Sequence, residues 1–157
     1  MAKLSIFRLA DLYGIKVLWE DVHGIVGPDV DGWADTRDGI IHLDLSIQGT
    51  RHGKCVADEE VGHCLYPPMA NHLVYHSRRY WRLSHDERDN LRWWAAKDER
   101  RARLWATRWE IADEDFWHFF STGPHDWQEW LERFEVVDWF MDLKVGFMRE
   151  KQPFKWR

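Results

Sequence analysis

The chain has 157 residues, a formal net charge of −5, and 15 % aromatic residues with tryptophan alone contributing 12. Its length suits one domain with its own core, and no Gly/Ser/Pro-rich linker divides it. The acidic balance argues against bulk nucleic-acid affinity, which needs a basic surface to neutralise phosphates, and the aromatic content argues against disorder. With no apolar run of about eighteen residues and no charged-then-apolar leader, a cytoplasmic protein without a membrane span is expected.

Ile6, Leu9, Ala10 and Tyr13 recur at i, i+3, i+4 and i+7, the period of one helix face, and Gly14 follows as a stop, so a first helix is expected. Ile15 to Trp19 is rich in β-branched and aromatic residues and predicts a strand. Gly24 to Gly32, with Pro28 inside it, reads as a loop. Gly32 to Thr36 and Ile40 to Leu43, separated by Arg37, Asp38 and Gly39, give the strongest hairpin signal in the chain.

Arg51 to Pro68 reads as the next helix, closed by Pro67 and Pro68. Val56, Glu59, Glu60 and His63 fall on one stripe, whereas Ala57, Val61, Cys64 and Leu65 form an apolar stripe that can seat the helix in a core. The polar stripe has the spacing of the H-E-x-x-H motif, in which two ligands one turn apart hold zinc and the glutamate between them activates a water. Here Glu59 stands at the first histidine, Glu60 at the base and His63 at the second ligand. Carboxylate oxygen is a regular zinc donor at nearly the imidazole distance, although it makes the site harder and less zinc-selective. A solvated face would carry a similar acid pair, but it would not need Gly62, which costs about 1 kcal/mol inside a helix and signals close approach of another backbone. Cys55 and Cys64, about 13 Å apart along one helix, cannot bridge and are expected as small buried hydrophobes.

Met69 to His76 suggests a short helix whose His72 and His76 share a face without an evident third ligand. Ser77 to Leu83 looks irregular, and its Arg78, Arg79 and Arg82 among Tyr80 and Trp81 are a candidate partner surface. A long helix follows from about Glu87 to Glu110, with Ser84, Asp86 or Asp89 as its cap. Ala102, Trp105, Ala106 and Trp109 form its core stripe, and one turn back that stripe reaches Glu99, with Asp98 beside it. A carboxylate on an apolar face needs a partner, so Glu99 is either the third metal ligand or one end of a salt bridge to a nearby arginine.

The last third reads as helices: Asp113 to Phe120, a break at Gly123-Pro124, the Trp127, Trp130, Leu131 and Phe134 stripe, and a closing helix. A helix-turn-helix reading around Glu135-Val136 fails chemically. The recognition helix would carry Asp138, Trp139, Phe140 and Asp142 in place of residues that read base edges.

The run Cys55 to His63, followed by Glu99, Ala102, Trp105 and Ala106, resembles the ImmA/IrrE family of metallopeptidases. Gly14-Ile15, Gly39 to Asp44 and Trp130 to Val136 also resemble that family's layout. The resemblance implies a single α+β zincin-like domain over residues 1–157, with a metal-site region at 1–112 and C-terminal helices at 113–157. It further implies a divalent metal, zinc first and manganese or iron next, on His63 and Glu99, with Glu59 at the place of the family's first histidine and Glu60 as general base. The expected activity is endopeptidase-like, directed at a helix-turn-helix repressor. The usual leucine-proline after the Glu99 helix is replaced by Glu110, Ile111 and Ala112. Two other readings stand beside it: a pseudo-peptidase that binds a regulator without cutting, and a carboxylate-rich redox metal protein, for which Glu20-x-x-His23 would be the second Glu-x-x-His pair.

Overall fold

The computed structural model describes residues 3–66 and 84–152, apart from the side chains of 88 and 91. The N-terminal part is α1 (Ile6–Leu12), β1 (Lys16–Glu20), α2 (Val22–Ile25), β2 (Gly32–Asp35) and β3 (Ile40–Asp44), then a 3-10 turn (Leu45–Ile47) and α3 (Arg51–Leu65). After it come α4 (His85–Glu110), α5 (Asp113–Ser121), α6 (Trp127–Phe134) and α7 (Asp138–Lys151). The architecture is mixed α+β, mostly helical with one small sheet, and no helix among the described residues is long and apolar enough to cross a membrane.

Local signals set most boundaries. The Ser5 hydroxyl accepts from the Arg8 N–H to open α1, and Gly14, at φ +71°, reverses the chain into β1. The hairpin forms as expected: β2 runs antiparallel to β3 with Trp33 opposite His42 and Ala34 opposite Ile41. Asp35 holds its turn by accepting from the Arg37 and Asp38 N–H groups. β3 is the central strand, because β1 pairs with its other side in parallel, Val17 opposite Ile41. Within the segment expected as loop, Gly24 and Ile25 belong instead to α2, a single turn capped by Asp21, whose carboxylate accepts from the Gly24 N–H.

α3 begins where Thr50 caps it, its hydroxyl accepting from the Gly53 N–H at 2.9 Å, and ends at Leu65. Pro67 and Pro68, the His72 and His76 pair and the Arg78 to Arg82 surface lie outside the described residues. Ser84 caps α4 by accepting from the Glu87 N–H.

α3 sits between two cores. Val56, Ala57 and Val61 pack with Ile6, Leu9, Ala10, Ile41 and Leu43 against α1 and the sheet. Cys55 packs on the other side with Ala106, Phe116, Val136, Phe140 and Met141. Burial pushes the Cys55 thiol up to about 12, so it behaves as a small hydrophobe, and both cysteines are free. The closing helices are internally engaged: the Trp139 indole donates to His52 Nδ1, Asp138 accepts from the Trp127 indole, and Phe140 is buried.

α3 and α4 touch backbone to backbone. A Cβ on Gly62 would lie 2.7 Å from the Ala102 carbonyl oxygen and 3.1 Å from its Cα. Gly62→Ala therefore pits a propensity gain of about 1 kcal/mol against overpacking of rigid backbone, and a net destabilisation of about 2 kcal/mol is expected. Urea unfolding of the variant checks this; a more stable variant would mean that the helices do not need their close approach.

Candidate metal centre

The close approach of α3 and α4 brings residues 59, 63 and 99 together. Glu59 and His63 lie one turn apart on α3, and Glu99 lies on α4 one turn before Ala102. One donor atom from each of Glu59, His63 and Glu99 falls within 4.8 Å of the other two, and His63 Nε2 stands 3.3 Å from Glu99 Oε1. Ligands at about 2.1 Å from a tetrahedral ion lie about 3.4 Å apart, so the His63–Glu99 spacing suits a divalent metal such as zinc, and a Glu59 oxygen lies within 4.8 Å of both. Glu60, the candidate base, follows Glu59 and is partly buried.

The surroundings differ from the expectation at one acid. Asp98, not Glu99, is the deeply buried carboxylate of α4, at 1 % exposure, and it takes Arg101 at 3.0 Å. The Glu99 side chain, about a third exposed, reaches the mouth of the cluster. Helical periodicity names the face, but adjacent residues are separated by 100° and the packing angle decides which one goes inside.

Sequence reasoning missed Arg103. Its Nε lies 3.2 Å from Glu59 Oε1 and 3.5 Å from Glu99 Oε2, so one guanidinium joins both candidate ligands. Its signal was the i, i+4 spacing from Glu99. The salt bridge to an arginine expected for Glu99 is present, and its other oxygen faces His63.

Burial dominates the electrostatics. It pushes Glu60 up to about 8, with Glu59 and Glu99 adding repulsion and His63 opposing. Burial alone would lower His63, but its hydrogen bond to Glu99 and the charges of Glu60, Glu99 and Glu59 hold it up at about 9. Burial also raises Glu59, whereas Glu99, which burial would raise, is held down by His63, Glu59 and Arg103. Each of these two carboxylates disfavours the charge on the other, and the rise falls on Glu59 and the fall on Glu99.

Beneath the site, Asp58 is fully buried, its carboxyl raised well above the usual range by burial and by Glu110. The Glu110 carboxylate in turn meets Lys54 at 2.9 Å and, against burial, is held below the usual range by Asp58 and Lys54. The Lys54–Glu110 contact ties α3 to the end of α4.

The other sequence candidates lie elsewhere. Glu20 meets His42 on the sheet, while His23 Nε2 pairs with Asp31 at 2.8 Å, so the second Glu-x-x-His pair does not join the cluster. Asp31 also takes His52 Nε2 at 2.6 Å, fastening the β2 loop to the first turn of α3. His85, Asp86 and Asp89 converge too, but they are exposed in the first turn of α4, where acids complement the helix dipole. Of the histidine pair after α3, both His72 and His76 lie outside the described residues.

No family model, curated protein or solved structure matches this chain.

Two outcomes are expected. Imidazole at position 59 supplies a neutral donor that zinc prefers, so Glu59→His should bind zinc more tightly than the wild type in a chelator-competition titration, and equal or weaker affinity would mean that Glu59 points away. At the start of the 3-10 turn, hydrogen bonds from the Ser46 hydroxyl and the His23 and Ser46 N–H groups hold Asp44 down to about 2. A lowered carboxylate stabilises above its unfolded value near ~4 and loses that contribution as pH falls through its folded value. Asp44→Asn should therefore melt below the wild type at pH 6, with the gap closing towards pH 2; a gap independent of pH would sink this assignment.

Proposed function

We propose that this chain is a metal-dependent, endopeptidase-like hydrolase acting on another protein, and that its fold is zincin-like. The observation that carries the reading is the convergence of Glu59, His63 and Glu99 from two helices locked by the Gly62 contact, with Glu60 alongside. Glu59 and His63 would hold a divalent ion from one turn of α3, and Glu99 from α4. Such an ion, zinc first, supplies Lewis-acid polarisation of a scissile carbonyl and of the attacking water.

The protein's own residues supply the remainder. Glu60 accepts a proton and returns it to the leaving amine; burial makes it a stronger base, once ionised, than an exposed glutamate. His63 and Glu99 hold one another in place through their 3.3 Å contact, which limits the reorganisation needed to bind an ion. The substrate reading, a helix-turn-helix repressor, rests on the likeness of Cys55–His63 and Glu99–Ala106 to the ImmA/IrrE pattern. A cytoplasmic setting is part of the same proposal.

A second reading keeps the fold and drops the chemistry: the chain holds its partner without cutting it. The replacement of a ligand histidine by Glu59, already paired with Arg103, is what favours it.

Two measurements separate the readings. Elemental analysis of protein purified without a histidine tag, before and after chelation, should find close to one divalent metal per chain. Co-incubation with a repressor encoded beside the protein should yield fragments with the wild type and none with Glu60→Gln, which keeps the shape and removes the base. Intact repressor bound equally by both forms would establish holding over cutting, and no association would defeat the regulatory role.

A further inference from the structure

The Glu99 and Arg103 pair alone is unremarkable, since i, i+4 acid–base pairs occur on many helices and contribute little. Its third member is not local. Glu59 comes from α3, 44 positions away in the chain, and makes the shorter bond to Arg103 Nε, 3.2 Å against 3.5 Å for Glu99. The α3–α4 contact that places Glu99 opposite His63 also fixes the guanidinium, because Ala102, the residue under Gly62, immediately precedes Arg103. Moreover, the Glu99 oxygen that meets Arg103 is Oε2, while Oε1 is the atom beside His63. The arginine therefore holds Glu99 without covering its metal-facing oxygen.

Charge gives this geometry a consequence. Two neutral histidines and one glutamate present a ligand charge of minus one, and exchanging the first histidine for Glu59 makes it minus two. Arg103 restores minus one.

We propose that Arg103 is the charge-compensating partner of Glu59, a positioning residue that sets the metal affinity of the Glu59, His63 and Glu99 site. The inference rests on the metal reading above and adds a residue to it. Arg103 moderates the attraction of a divalent ion that two carboxylates would otherwise bind too strongly, and it keeps both carboxylates turned towards the same point.

The test is zinc affinity of the full chain, purified without a tag and measured by competition with a chromophoric chelator, with circular dichroism confirming that each variant is folded. Removing a positive charge a few ångströms from the ion should tighten binding by about tenfold in Arg103→Gln at low salt. The gain should shrink at high salt, since Arg103 is 42 % exposed and open to screening. Arg103→Lys keeps the charge and should stay within about threefold of the wild type. In a Glu59→His background the arginine has lost its shorter bond, so Arg103→Gln should change affinity by less than about threefold, which a double-mutant cycle reads as coupling. Weaker binding by Arg103→Gln, or the same effect in both backgrounds, would overturn the compensation while leaving the metal site standing. Folded protein that binds no zinc as wild type, as Arg103→Gln or as Glu59→His would remove both readings together.

Discussion

The contact between Gly62 and the Ala102 backbone is the constraint on which the site depends. α3 supplies Glu59, Glu60 and His63, and α4 supplies Glu99 and Arg103, so nothing converges unless the two helices come closer than ordinary side chains allow. Small residues do this on both sides: Gly62 has no Cβ, and Ala102 is fully buried with nothing beyond its methyl group. A glycine inside a helix lowers its intrinsic stability, and that loss is offset because α3 is wedged between two apolar clusters and does not rely on propensity.

The same closeness concentrates charge. Glu59, Glu60, His63, Glu99 and Arg103 share one partly buried region, with Asp58, Glu110 and Lys54 one layer behind. Unpaired buried carboxylates are costly, so each must find a proton, a cation or a donor. In the inner layer Lys54 meets Glu110, while burial and Glu110 push the Asp58 carboxyl well above the usual range. The outer layer uses His63 and Arg103, both of which approach from positions that leave carboxylate oxygens facing one point. The first arrangement is a structural fastening. The second is suited to exchange a proton or receive an ion.

Much of this was legible in the residues, and the remainder was not for definable reasons. The α3 stripe, the hairpin and the meaning of Gly62 followed from local periodicity and glycine placement, which survive folding because they are enforced over several turns. β1 pairing in parallel with β3, which makes β3 the central strand, is a non-local choice with no signature in either strand. α2 is a single turn made by one aspartate cap, too short for a periodic pattern. The stripe that pointed to Glu99 as an acid on the apolar face led to a residue that does lie beside His63, but it was wrong in depth, since Asp98 took the buried place. Arg103 and the pairing of His52 with Asp31 escaped notice because their importance lies in partners 44 and 21 positions away.

The division of labour within α3 also bears on how such a site can vary. Its apolar residues answer to two cores, with Ala57 and Val61 facing the sheet and Cys55 facing the C-terminal helices, so their volumes are constrained from both sides. The polar stripe is constrained only by charge and by the reach of α4. An exchange at position 59 between imidazole and carboxylate therefore leaves the packing of α3 untouched, and its energetic consequence falls on the residues that face it, His63, Glu99 and Arg103. Position 103 faces the carboxylates of both helices, so it is the point where a change of charge at 59 or 99 is first felt.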